Sequence, residues 1–324
     1  IWEGLSELEM GNLQAIIQVN TFKLLYSAND KITESRERLN ELFGKYYPSE
    51  FTPDCINYYE DSADELAIIN YTSGTSGFSK GVMIPYRAVR SNIEFAQKVL
   101  PQINSTSRVV SMLPTAHMYG LMFEVLYELT AGCHVFFLSR LPSPKIIMQA
   151  LSEVKPTLVI AVPLIIEKIY KSKVKPVLEK SGIRFAMKLP GLDQLIMNKI
   201  KTELINAFGG EFYEVIIGGA AFNKEVEAFF KRMEFPFTVG YGMTECAPII
   251  TYDDYKTAKL YSCGRIVPNM EMKIDSPDPQ NVAGELLVRG ANVFLGYFKN
   301  EEATKEVLDT DGWLHTGDMG VIDA

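Results

Sequence analysis

The sequence predicts an α/β fold, with largely parallel sheets carrying helices on both faces, followed by a small β-barrel-like subdomain. Three observations carry this expectation. Between Leu66 and Gly240 short apolar runs alternate with segments of helical periodicity, the pattern of βαβ units. Residues 157–162 (TLVIAV) are apolar throughout rather than alternating, as a strand covered on both faces would be. After Glu245 the alternation stops, and from Thr251 short extended pieces dominate. The expected division is an α/β region over residues 1–250 and a small β subdomain over residues 251–324.

Taken in order, residues 13–19 (LQAIIQV) and 22–26 (FKLLY) read as strands. Residues 32–47 are charged, with Leu39, Leu42 and Phe43 as apolar positions, and read as one surface helix. Residues 48–65 are acidic and turn-rich, a loop leading into the strand Leu66-Ala67-Ile68-Ile69-Asn70. A loop and a second extended run, Val82-Met83-Ile84, follow. Val89, Ile93, Ala96 and Leu100 share one face of a helix over 86–100. Next come a strand over 108–113, an apolar helix over 118–130 and a strand over 134–139. A helix over 143–155 turns Ile146, Ile147, Ala150, Leu151 and Val154 inward. Beyond the strand at 157–162 lie helices over 164–180 and 192–208, a strand over 214–217, a helix over 223–233 and a strand over 237–240. The last part has strands over 270–274, 285–289 and 313–321. Its one short helix starts at Asn300, whose side chain can cap, while Glu301 and Glu302 suit the positive helix end.

Composition narrows the function classes. A hydrophobic content of 47% over 324 residues suffices for one large or two ordinary cores. The net charge of −8, with no block of Lys or Arg, argues against a nucleic-acid partner. Cys55, Cys133, Cys246 and Cys263 form no C-x-x-C pair and, with three histidines, no metal-ligand spacing. A reduced, cytoplasmic protein is the simplest reading. The longest clear apolar run, residues 158–166, is too short for a bilayer and contains Pro163, so no transmembrane segment is expected. No signal peptide is expected from these residues. A chain opening on Ile1 and closing on Ala324 without an obvious stop reads as a fragment.

Chemistry concentrates in five places. Residues 71–81 (YTSGTSGFSKG) hold five Ser or Thr, three Gly and Lys80 in one loop leaving a strand. Glycines let the backbone approach a ligand, and successive N–H groups, hydroxyls and a lysine suit phosphate oxygens. This is not a Walker A loop, because Lys80 stands between Ser79 and Gly81 and the chain continues extended. Pro114-Thr115-Ala116-His117-Met118-Tyr119-Gly120 joins a strand to a helix, where ligands of open α/β sheets collect. Gly218-Gly219-Ala220-Ala221 is a tight turn that lets a flat ring lie against the backbone. In Tyr241-Gly242-Met243-Thr244-Glu245 an adjacent hydroxyl and carboxylate can hold the hard, oxygen-liganded Mg²⁺ that accompanies ATP. Trp313-Leu314-His315-Thr316-Gly317-Asp318 is an ordinary turn by itself.

In this order the five segments resemble the adenylate-forming enzymes: acyl-CoA synthetases, luciferases and nonribosomal adenylation domains. The phosphate loop departs from the usual pattern at Ser76, which replaces a threonine, and at Ser79, which replaces a proline. The resemblance implies that Thr72, Ser73, Gly74, Thr75, Ser76, Gly77 and Lys80 contact phosphates. It implies that adenine stacks at Gly218, Gly219 and Ala220 and on Tyr241, in a segment shared with Gly242 and Met243, and that Asp318 holds the ribose. Thr244 would touch phosphate, Glu245 with Thr72 would serve Mg²⁺, and His117 would border the acyl pocket, so that Lys80, His117, Thr244 and Glu245 form the implied catalytic group. Gly284-Glu285-Leu286, Arg289-Gly290 and Gly296-Tyr297 match a structural segment and read as scaffolding, and His315 as structural.

The wording of the motifs is most similar to fatty acyl-CoA synthetases of the long-chain type. That implies an ATP-dependent fatty acid:CoA ligase with ATP, Mg²⁺ and coenzyme A, acting through an acyl-adenylate. The alternatives are activation of an aryl or amino acid, or a non-catalytic nucleotide-binding scaffold. No carboxylate lies between Pro114 and Leu121 to hold a substrate amine, which favours an acid without one. The resemblance further implies opening strands before Ile1 and about a hundred residues after Ala324, with a ribose-contacting arginine, a hinge and a lysine needed for adenylation. A chain without them is expected to be inactive in the overall reaction and to self-associate through open sheet edges. Peripheral membrane contact is compatible with this reading.

Overall fold

A computed structural model describes residues 11–46, 52–56, 58–73, 79–140, 142–189 and 191–323. The chain divides into two compact units, residues 1–60 and 61–324. In the first, β1 (Ala15–Gln18) and β2 (Lys23–Ser27) form an antiparallel hairpin, with Ala15 opposite Ser27 and Gln18 opposite Lys23. The helix expected over 32–47 is two helices, α1 (Asp30–Glu37) and α2 (Leu39–Tyr46), broken at Arg38. Asn29 starts α1 by accepting the Ile32 N–H at 3.1 Å. No described residue of this unit is buried, so its apolar positions supply no core of their own.

In the second unit β3 (Leu66–Ser73) and β4 (Ser79–Pro85) pair antiparallel, with Asn70 opposite Val82 and Thr72 opposite Lys80. Only residues 74–78 separate the two strands, far too few for a parallel crossover. Gly74, Thr75, Ser76 and Gly77 of the expected phosphate loop lie outside the described residues. Helix α3 (Tyr86–Val99) buries Ala88, Asn92 and Ala96 at helical spacing. β5 (Arg108–Ser111) and β6 (His134–Phe137) are parallel. Between them α4 runs through Met118–Leu121, a π-helical segment Met122–Leu126 and Tyr127–Thr130. Met122, Phe123 and Glu124 in the wide segment are buried in succession, a local widening that often marks functional helices. Ser143 caps α5 (Pro144–Val154).

A second parallel sheet has the order β7 (Val159–Ala161), β8 (Val215–Ile217), β9 (Phe237–Val239). Between β7 and β8 the chain makes α6 (Pro163–Ile169, continued by π-helical Tyr170–Val174 and by Lys175–Leu178), α7 (Ser181–Ala186) and α8 (Leu192–Ala207). Asn223 caps α9 (Lys224–Arg232), which returns the chain to β9. The period of two along these strands separates two cores. Val159, Ala161, Val215 and Ile217 pack with Phe208, Phe230, Phe235 and Phe237. Leu158, Ile160 and Ile216 face the other way, onto the core built by α3 and α4. Coverage on both sides explains the continuous apolar run at 157–162.

The remaining sheets are antiparallel: β10 (Tyr241–Gly242), β11 (Ile249–Tyr252) and β12 (Arg265–Ile266) in one, and β13 (Met270–Asp275), β14 (Gly284–Gly290) and β15 (Leu314–Gly320) in the other. Asn300 caps α10 (Glu301–Val307), accepting the Ala303 N–H at 3.1 Å. Two expectations need correction. The sheets are small, and parallel pairing is confined to β5–β6 and β7–β8–β9 among the described residues. The C-terminal strands form no closed barrel: three strands cannot close. Instead Met270, Ile274, Leu286, Val288 and Leu314 press into the core that holds Val82 and Ile84. No helix among the described residues is long and apolar enough to cross a membrane.

Candidate active site

The arms of the β3–β4 hairpin fix Thr72 and Lys80 opposite each other. The segment around residues 294–298 lies along β4, with Leu295 N–H donating to Met83 O (2.9 Å), Met83 N–H to Gly296 O (3.0 Å) and Phe298 N–H to Gly81 O (2.7 Å). This delivers Tyr297 to the site. Lys80 Nζ stands 4.8 Å from the centre of the Tyr297 ring, a cation–π contact. The Tyr297 hydroxyl donates to Glu245 Oε1 at 2.8 Å. Lys80 and Glu245 are thus joined through one ring, that of Tyr297, which the sequence presents as scaffold.

Glu245 is buried in a single helical turn, Thr244–Cys246, that leaves β10. Its own carbonyl accepts the Phe294 N–H at 2.8 Å. Asn92, fully buried on α3, holds the chain beyond it: Oδ1 accepts the Ile249 N–H (3.0 Å), and Nδ2 donates to Cys246 O (3.3 Å) and Ala88 O (2.8 Å). Asn292 Nδ2 donates to Ile249 O at 2.7 Å. Buried amides in a dry core are costly unless bonded, so these side chains lock the turn in one geometry. Gly242 admits no side chain: a Cβ there would sit 2.1 Å from Pro248 O.

The expected nucleotide residues also converge. Tyr241 Oη donates to Asp318 Oδ2 at 2.6 Å, closing a gap of 77 residues in sequence. Burial pushes the Tyr241 phenol above its ordinary pKa. The Asp318 turn is held by Glu285, whose Oε1 accepts the Gly317 N–H (3.0 Å) and whose Oε2 lies 3.0 Å from His315 Nδ1. His315 draws the Glu285 carboxyl below its usual range, which makes His315 a structural partner. At Gly218 a Cβ would come within 3.2 Å of the Tyr119 ring, while Gly219 (φ +86°) and Ala220 are exposed. Thr244 and Met243 are half-buried beside Glu245. No hydrogen bond among the described residues joins Thr72 to Glu245.

Against this seat lies a pocket with mostly apolar walls. Gly218, Gly219, Tyr241 and Gly242 form one side, and Phe95, Val99, Phe123, Leu158, Ile160 and Ile216 are among its apolar walls. Tyr119 stands at the junction, its hydroxyl donating to Ile216 O at 3.1 Å. His117 is exposed and is not among the wall residues; Tyr119, two positions on, is. Asn70 on β3 ties this turn to the phosphate strand by donating to Ala116 O at 2.8 Å.

Buried acids brace the pocket from behind. Glu124 accepts from Leu113 N–H (2.9 Å), Met112 N–H (3.1 Å) and Ser111 Oγ (3.3 Å). Burial outweighs these donors and pushes its carboxyl up to about 8. Burial likewise raises Glu214, which accepts from Tyr252 Oη, to about 7, and lifts Glu128 well above the ordinary range. The folded state therefore keeps protons that the unfolded chain releases. Stability from these groups is complete below the ordinary carboxyl pKa and is lost as pH rises towards about 8. A group that stays protonated only in the folded state loses roughly 1.4 kcal/mol of stability per pH unit between its unfolded and folded pKa values. Thermal melts are expected to fall from pH 5.5 to 8, with a flatter slope in Glu124→Gln. An unchanged slope in that variant would show that Glu124 does not titrate between the two states.

The donor set fits one Mg²⁺ beside phosphates. Glu245 offers a carboxylate next to the Thr244 hydroxyl, and no cluster of three or more His, Cys, Asp or Glu among the described residues could cage an ion alone. Magnesium habitually takes one or two carboxylates and completes its shell with water and phosphate oxygens.

Comparison with known proteins identifies the family. The sequence profile of the AMP-binding enzyme family matches residues 12–298. A long-chain-fatty-acid–CoA ligase of Homo sapiens is 28% identical over 286 residues, covering 81% of this chain and 42% of that protein. A 4-coumarate–CoA ligase of Oryza sativa subsp. japonica is 29% identical over 280 residues, covering 81% and 46%. The chain spans about two fifths of the length of the first curated relatives it matches. Among solved structures, an ATP-bound RpMatB-BxBclM chimera shares the fold with a TM-score of 0.65 at 24% identity, over 83% of this chain and 48% of that one. With a family match over most of its length, the chain belongs to the AMP-binding enzyme family.

Proposed function

We propose that the site activates a fatty acid as its adenylate and passes the acyl group to coenzyme A. The observation that carries this reading is the apolar-walled pocket opening onto the Gly218–Gly219 and Tyr241–Gly242 seat. Apolar walls with few polar anchors suit an alkyl chain. The carboxylate would lie at the Tyr119 end, beside the nucleotide. One of its oxygens attacks the α-phosphorus; the new O–P bond forms as the bond to pyrophosphate breaks. The thiol of coenzyme A then attacks the acyl carbon, and AMP leaves. Glu245 beside Thr244 would hold Mg²⁺, which when bound would neutralise phosphate charge. In this reading Lys80 and Thr244 meet phosphate oxygens, Glu245 orients the ion, Tyr297 fixes both Lys80 and Glu245, Tyr241 packs on adenine and Asp318 holds the ribose. Such chemistry rests on positioning and charge neutralisation.

A second reading, an aryl acid, has its own support in the Phe95, Tyr119, Phe123, Tyr127 and Tyr252 rings around the pocket. Pyrophosphate exchange by the full-length protein over a panel of fatty, aryl and amino acids separates them. The proposal expects exchange to rise with alkyl length and to be weakest with amino acids, because no carboxylate lies between Pro114 and Leu121. Fastest exchange with an aryl or an amino acid would replace it.

A further inference from the structure

We propose that the helices between β7 and β8 form a docking surface for an anionic lipid bilayer. Residues 164–201 contain nine Lys or Arg and three Asp or Glu, whereas the whole chain carries 32 and 40. The charge is spread over helices instead of running as a block, so it escapes a reading for basic tracts. Among the described residues Lys171, Lys173, Lys180, Arg184, Lys188 and Lys199 make no ion pair; in this region only Lys175 and Lys201 do, to Glu179 (3.8 Å) and Glu234 (3.9 Å). Large apolar side chains stand among these cations in the open. Phe185 is 67% exposed, Leu195 64% and Leu164 59%, with Leu189 and Leu192 also exposed.

Their placement is ordered. On α8 Met197, Ile200 and Leu204 are buried at spacings of three and four, which anchors one face of the helix to the core. Leu192, Leu195 and Lys199 repeat the same spacing on a different, exposed face. Arg184, Phe185, Lys188 and Leu189 extend the mixture of cation and apolar side chain through α7 and the turn before α8. Lysine and arginine interleaved with Phe and Leu is the composition of interfacial helices: the cations meet lipid phosphates and the apolar groups enter the acyl boundary. An acidic protein would match the charge but leave Phe185 and Leu195 without a purpose, so the bilayer is the occupant that uses both. The region also starts at the site. Val162, which precedes α6, has its Cγ1 3.6 Å from where a Cβ would stand on Gly219, and exposed Leu164 is two residues further on.

Vesicle co-sedimentation tests this without reference to catalysis. The purified protein is mixed with vesicles of phosphatidylcholine, alone or with about one third phosphatidylglycerol. Binding is expected only with the anionic lipid and to weaken with salt. Two variants at exposed positions divide the contributions: Phe185→Ser with Leu195→Ser, and Lys180→Glu with Arg184→Glu and Lys188→Glu. Each is expected to lower vesicle affinity about tenfold or more while leaving the melting temperature and AMP binding unchanged. Four results would overturn the proposal: no binding to anionic vesicles, binding that survives both variants, loss in the charge variant alone, or a vesicle-free dimer that the apolar variant dissolves. The last would make a second copy of this chain the occupant.

Discussion

Glu245→Gln in the full-length protein is expected to reduce ATP-dependent adenylate formation by about 100- to 1,000-fold, the usual loss when one preorganised electrostatic partner of a transition state is removed. The substitution keeps shape and an oxygen that can still accept from the Tyr297 hydroxyl, now at 2.8 Å from Oε1. What it removes is the charge beside the phosphates. Because the buried turn keeps its packing and the backbone bond to Phe294 is untouched, the melting temperature should shift by no more than about 2 °C. Acyl-adenylate yield by mass spectrometry and a melting curve on the same preparation check both halves. Full activity in the variant would remove Glu245 from the chemistry and favour a role confined to holding Tyr297.

Gly242→Ala should do the opposite and damage fold and site together. A Cβ at this position would lie 2.1 Å from Pro248 O, 2.8 Å from its carbonyl carbon and 3.2 Å from Ile249 Cα. These are backbone atoms that cannot rotate away. They are held in turn, Pro248 O by Met243 N–H at 2.9 Å and Ile249 by Asn92 and Asn292. Overpacking against flexible side chains costs about 1–3 kcal/mol, and against this pinned backbone about 3 kcal/mol or more. The melting temperature should fall by roughly 6–12 °C, and AMP affinity should drop with it because Tyr241 is displaced. Gly182→Ala is the matched control: nothing lies within 4 Å of a Cβ at that helical position, so stability should hold level or rise slightly. Equal melting temperatures for Gly242→Ala and the parent would contradict the described β10–β11 contact.

Much of the architecture is legible because local signals decide it. Asn300, Asn223 and Ser143 cap where a short polar side chain precedes helical periodicity, and β7 lies inside its uninterrupted apolar run. The order of the site segments is legible for the same reason. Pairing is less so: the β3–β4 hairpin and the small antiparallel sheets depend on how few residues join the strands and on which edges meet, neither of which periodicity reports. The break at Arg38 is equally silent in a charged stretch with little burial to hold one continuous helix. In the site, what sequence misses is long-range. A tyrosine after a glycine at residue 297 carries no sign that it will bond a glutamate 52 residues away. Asn92 reads as a polar position on a helix face until β11 is laid against it. Tyr119, not the more conspicuous His117, lines the pocket, because the histidine sits in the extended residue before α4, exposed to solvent.

The central claim is that one continuous site seats a nucleotide and an alkyl chain side by side. Isothermal titration with AMP, and with a non-hydrolysable sulfamoyl-adenosine analogue bearing a long acyl chain, tests it without requiring turnover. Each methylene that enters the pocket is worth up to about 0.8 kcal/mol, so even partial entry predicts binding at least about 100-fold tighter than AMP, or ~2.7 kcal/mol. Ile160→Trp, which would fill the pocket from its β7 wall, should remove that advantage while leaving AMP affinity in place. Equal affinities for AMP and the acyl analogue would contradict the claim.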